Sequence, residues 1–131
     1  MSQQRQTVFS ICDLDKEKYS CITMDIAASS VIVTAERIEH IKSHHPGHFE
    51  EIAPFLREAV ESPDYILADA PNTGLILKAV TENGLRLQMV LRIHTSKDAS
   101  GFQNSIISTW KISKTRWDNY LRNKKILYKS E

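Results

Sequence analysis

The segment ERIEHIKSHHPGHFE, Glu36 to Glu50, carries four of the chain's five histidines, at His40, His44, His45 and His48. Imidazole is the one side chain whose unperturbed pKa, about 6.5, puts its charge change near neutrality, so a cluster of this kind suits proton transfer. Cutting RNA without a metal needs two such groups: one takes the 2′-hydroxyl proton and the other protonates the leaving 5′-oxygen. Two imidazoles, or an imidazole and a carboxylate, suffice. Glu36, His40 and His44 also stand at successive i, i+4 positions, where a zinc ion would find one helical stripe, with His94 as a further ligand. The run lacks the His-Glu-x-x-His pattern and any cysteine pair, so no metal or cofactor is assigned. The third reading is a set of solvated side chains at a helix C-terminus, where positive charge is favoured.

These imidazoles depend on a helix. Thr34 is a good N-cap for AERIEHIKSHH, with Glu36 in the first turn, and the Pro46-Gly47 pair ends it. Ile38 and Ile41 must face the core, which sets the histidines beside the buried stripe. A second helical segment follows, with a short turn to Ala53 and a fresh helix from Pro54. Before the first helix, Thr7–Ile11, Cys21–Ile26 and SSVIVT read as strands. After the second come YILAD, LILKAVT and LRLQMVLRIH, with an Asn83-Gly84 hairpin turn between the last two. A polar loop then leads to the strand NSIISTWKI, the amphipathic helix KTRWDNYLRNKK and a closing ILY. The order predicts an α+β domain with N-terminal helices packed on an antiparallel sheet of about four strands, preceded by a short β extension. The extension is residues 1–33 and the compact domain residues 34–131.

The strand period of two assigns faces. Leu85, Leu87, Met89, Leu91 and Ile93 fall on one side of their strand; Arg86, Gln88, Val90, Arg92 and His94 fall on the other. In the last long strand, strict alternation groups Ser105, Ile107, Thr109 and Lys111 away from Asn104, Ile106, Ser108 and Trp110. An open antiparallel face is ordinarily polar. Here its residues also suit a phosphodiester: Arg86, Arg92 and Lys111 can neutralise phosphate, and Ser105 and Thr109 can hydrogen-bond its oxygens. Trp110 and Trp117 could stack on a base, yet both sit at apolar positions of amphipathic segments, so core packing is the expectation.

At 131 residues, with 41% hydrophobic and 25% charged side chains, the composition is that of a globular domain with its own core. Lys and Arg number 17 against 16 Asp and Glu, so net charge does not announce a nucleic-acid partner. No apolar run is long enough to span a bilayer, and the N-terminus is too polar for a signal peptide. A cytoplasmic location, or delivery into a target cytoplasm, is expected. Cys12 and Cys21 are read as reduced thiols.

In order, ERIEHIKSHHPGHFE, PDYIL, NTGLILKAV, LQMVLRI, NSIISTW and KILYK resemble the phage- and prophage-associated nucleases of the barnase, EndoU, colicin and RelE-like (BECR) group, from about Thr34 to Lys129. That resemblance implies the same α+β fold. It also implies a metal-independent endoribonuclease acting on tRNA or mRNA, often a toxin held by an immunity protein or antitoxin. His40 and either His44 or His45 match its helical histidine motif, Ser105 and Thr109 the polar residues of its late strand, and Lys78 a basic strand position. The alternatives are a binding module of the same fold with a decayed site, recognising RNA or a protein, and a zinc hydrolase built on Glu36, His40 and His44.

Overall fold

Asp15 and Thr34 start the first two helices by the same means. In the computed structural model, which describes residues 7–80 and 84–131, the Asp15 carboxylate accepts the Lys18 amide and begins α1 (Lys16–Tyr19). The Thr34 hydroxyl likewise accepts the Arg37 amide and begins α2 (Ala35–His44). The Pro46-Gly47 break, with Gly47 in the left-handed region at φ 83°, turns the chain into α3 (His48–Ile52). A 3-10 turn containing Pro54 (Ala53–Phe55) then leads to α4 (Leu56–Glu61).

Cys21–Ile26 is not the expected strand. Asp15 caps the preceding charged segment into α1, and Cys21, Ile22 and Ile26 pack on the core from irregular backbone. Local β-propensity loses here to tertiary packing. Cys12 and Cys21 are free thiols, and burial first of all pushes Cys12 up to about 11.

The strands are β1 (Val8–Asp13), β2 (Ser30–Thr34), β3 (Tyr65–Ala68), β4 (Thr73–Val80), β5 (Leu85–Arg92), β6 (Asn104–Lys111) and β7 (Ile126–Lys129). They form one seven-stranded sheet in the order β1-β2-β6-β5-β4-β3-β7, larger than the expected four. The class remains α+β. The central β3 to β6 meander is antiparallel, as expected, but β2 joins β6 in parallel through Val31 and Ile32 opposite Asn104 and Ser105. That seam brings β1 and β2 into the sheet, and the C-terminal ILYK segment adds β7 beside β3. Asn83 of the expected hairpin turn lies outside the described residues; β4 and β5 pair antiparallel, as that turn requires.

Asn104 fastens the parallel seam. It is fully buried, its amide group donates to the Ala28 and Ser30 carbonyls at 2.9 and 3.0 Å, and its side-chain oxygen accepts the His94 amide at 2.8 Å. One face of the sheet buries Ile52, Leu56, Ala59 and Val60 of α3 and α4 against Val33, Ile76, Met89 and Ile106.

The opposite face is not open throughout. Helix α5 (Lys114–Asn123) lies over it, and Trp117, Tyr120 and Leu121 cover Leu67, Leu75 and Leu77. Three alternating leucines on the second face of β3 and β4 need this cover, since exposed together they would form an apolar patch. Asn104→Ala leaves three backbone partners unsatisfied, so it should lower unfolding stability by on the order of 3 kcal/mol, measured by urea denaturation.

Candidate active site

The site is set by a change of phase in β6. Val90 lies opposite Ser108 and Leu91 opposite Ile106, so Ile107 is an extra residue with no partner of its own. Beyond it every side chain changes face. Thr109, opposite Met89, turns to the helix side, is completely buried, and donates its hydroxyl to the Gln88 carbonyl at 2.7 Å. Ser108 and Trp110 turn to the other face. The expected grouping of Ser105 with Thr109 and Lys111 therefore fails, because strict alternation does not survive a bulge.

Past its two pairs with β2, β6 has a free edge, and α2 and α3 fill it. The His48 Nδ1 accepts the Lys111 amide at 3.1 Å, which docks the start of α3 on that edge. The His45 ring stacks on Trp110, with centroids 4.3 Å apart and planes at 15°. His40 and His44, one turn apart on α2, have centroids 4.0 Å apart. Together Arg37, His40, His44, His45, Ser108 and Trp110 line a cleft of ≈ 260 Å³, with Ile41 and Ile107 beneath. Both tryptophans were expected in the core. Trp117 is there, whereas Trp110 forms a wall of this cleft.

The hydrogen bonding fixes two tautomers. His44 Nδ1 lies 3.0 Å from the His40 carbonyl, which can only accept, so Nδ1 carries a proton and Nε2 is the atom left for chemistry. On His48 the roles reverse, since Nδ1 accepts and Nε2 holds the proton. Burial first, and then the neighbouring imidazoles of His48 and His44, lower the pKa of His45 below the ordinary histidine value. A neutral base at pH 7 is the consequence. Arg37 stands one turn before His40 on the same stripe; among the described residues its guanidinium is in no ion pair.

The remaining candidates lie elsewhere. Lys78 is pinned to the end of α4, donating to the Ser62 carbonyl at 2.7 Å beside Glu58 and Asp64. Lys18 likewise caps the Glu61 carbonyl and the Tyr19 hydroxyl the Val60 carbonyl, so this lysine neutralises a helix C-terminus. Lys111 pairs with Glu51 at 2.8 Å and borders a separate hollow with Arg86. Arg92 is tied to Asp98 at 2.9 Å near Ser105, at the far end of β6. Glu36 is exposed and does not line the histidine cleft. His94 faces Asp98 at 3.7 Å, away from the other imidazoles. Among the described residues no three His, Cys, Asp or Glu side chains converge to hold a metal ion.

Arg37 and Ser108 were absent from the candidates, and Trp110 was weighed for base stacking but assigned to the core. Arg37 had a signal in its helical spacing to His40 and His44; the face taken by Ser108 and Trp110 had none, because the bulge is invisible to alternation.

Over residues 9–129 the sequence matches the family described as phage-Barnase-EndoU-ColicinE5/D-RelE like nuclease2. The chain belongs to this family of nucleases. The match starts ahead of Thr34, where the resemblance was expected to begin, and takes in β1 and β2. Comparison with curated proteins and with solved structures gives no match. As a nuclease of this family, the protein has a nucleic acid as its substrate. In Trp110→Ala the His45 imidazole loses its cover, so its pKa should rise toward about 6.5, measured by NMR titration of the ring protons.

Proposed function

We propose that the protein is a metal-independent endoribonuclease that cleaves tRNA or mRNA at the histidine cleft. The observation that supports this most directly is the convergence of three imidazoles, a guanidinium and a serine hydroxyl on one cleft. Such a set holds the acid, the base and the charge needed to break a ribose phosphodiester.

His45, neutral at pH 7, takes the proton of the 2′-hydroxyl. The 2′-oxygen attacks phosphorus, and charge builds on the two non-bridging oxygens, where Arg37 and the Ser108 hydroxyl donate. The bond from phosphorus to the 5′-oxygen breaks, and His44 in its protonated form supplies the proton from Nε2. The products are a 2′,3′-cyclic phosphate and a free 5′-hydroxyl. His40 positions His44 through its carbonyl and its ring.

A ribonuclease of this kind is a toxin in any cytoplasm that it is made in or delivered into, so an immunity protein or antitoxin is part of the proposal. It would act by covering the cleft.

With total bacterial RNA in EDTA, wild-type protein should yield discrete fragments, and His44→Ala and His45→Ala should each slow cleavage by roughly 10²- to 10⁴-fold. Lys78→Met should cleave at the wild-type rate while losing thermal stability. Binding of RNA without turnover by folded wild-type protein would support the binding module instead. The sign of the pH effect also follows: a base must be unprotonated, so activity falls as pH drops through the lowered His45 pKa. Trp110→Ala should move that acid limb to higher pH.

A further inference from the structure

The histidine cleft has a neighbour across Ile107. Ile107 also borders a second cleft of ≈ 250 Å³ on the same face, lined by Arg92, His94, Phe102, Gln103 and Ser105. Phe102 lies in the loop joining β5 to β6 and is 63% exposed, an unusual position for a large apolar ring. Its centroid is 6.4 Å from that of the His94 imidazole, so the cleft has an aromatic wall.

Its charge is already spent. The Arg92 guanidinium donates to Asp98 with one nitrogen and to the Ile93 carbonyl with another. Asp98 accepts the Thr95 amide at 2.8 Å as well, and that bond, with Arg92 beside it, holds its carboxyl below the usual range. The same pairing ties the loop that carries Phe102 to the end of β5. A phosphate would find no uncommitted cation among these residues. A flat ring with hydrogen-bonding edges would find a stacking face, and polar groups at its rim in Gln103 and Ser105, whose hydroxyl donates to the Gln103 carbonyl at 3.2 Å.

We infer that this second cleft is a nucleobase subsite, in which a base of single-stranded RNA adjoining the cleaved phosphodiester stacks on Phe102. Its place in a track of RNA rests on the ribonuclease reading of the histidine cleft; the base seat itself does not. Stacking on an aromatic side chain is tolerant of sequence, and discrimination would come from Gln103 and Ser105.

The test reads binding apart from cleavage. The four nucleoside 3′-monophosphates, with ribose 5-phosphate as a probe lacking a base, are titrated into the full chain and followed by NMR of the Phe102 ring and the His94 imidazole. The nucleotides should shift both signals and ribose 5-phosphate neither. Phe102→Ala should weaken nucleotide binding roughly 5- to 100-fold, and Phe102→Trp should retain it. Equal shifts with ribose 5-phosphate would make the cleft a phosphate site and overturn the inference. So would silent Phe102 signals, or an unchanged KM for RNA in Phe102→Ala, in a protein that cleaves RNA. Base-dependent shifts in a protein that cleaves nothing would uphold the subsite while removing the ribonuclease reading.

Discussion

One extra residue, Ile107, decides what the exposed face of β6 presents. Without it, Thr109 and Lys111 would stand beside Ser105, and Ser108 and Trp110 would be turned into the helix-side core. With it, Thr109 is fully buried and hydrogen-bonded to Gln88, and Trp110 is free to receive the His45 ring. A bulge also bends and twists its strand. This one sits just past the two-residue seam with β2, where β6 loses its outer neighbour and α2 and α3 take the edge. The placing of the histidines and the phase of the strand are therefore one structural event.

The chemistry then follows from how each imidazole is held. His44 is oriented by a backbone carbonyl of its own helix, His48 is committed to an amide of β6, and His45 is covered by an indole. Burial favours a neutral ring at His45, whereas His44 stands exposed in the last turn of its helix. One imidazole covered and its neighbour open to solvent is an arrangement that suits a base beside an acid. Two cations outside the cleft serve the fold: Lys78 quiets the end of α4 and Arg92 fastens the β5 to β6 loop.

Much of this was legible in the sequence because it is local. Thr34, Pro46 and Gly47 bound the histidine helix as capping chemistry dictates, Pro54 divides the second helical segment, and β4, β5 and β6 appear where alternation puts them. The grouping of His40, His44 and His45 was also readable. What escaped was nonlocal or irregular. No periodicity announces that β2 will run parallel to β6, a seam that depends on the buried Asn104 bridging segments far apart in the chain. The leucines of β3 and β4 were read as strand, but their need for α5 as a second cover shows only when both faces are seen. Thr109 was misplaced for the same kind of reason, since parity counting assumes a regular ladder.

The central claim is that imidazoles in this cleft use the substrate's own 2′-hydroxyl as the nucleophile. The most direct measurement takes an RNA oligonucleotide cut by the protein at one site and replaces the single nucleotide 5′ to that cut with its 2′-deoxy form. Cleavage at that bond should disappear, while the unsubstituted oligonucleotide gives a 2′,3′-cyclic phosphate end in EDTA. Continued cleavage of the 2′-deoxy bond, leaving a 5′-phosphate, would contradict it, because the attacking group would then be water.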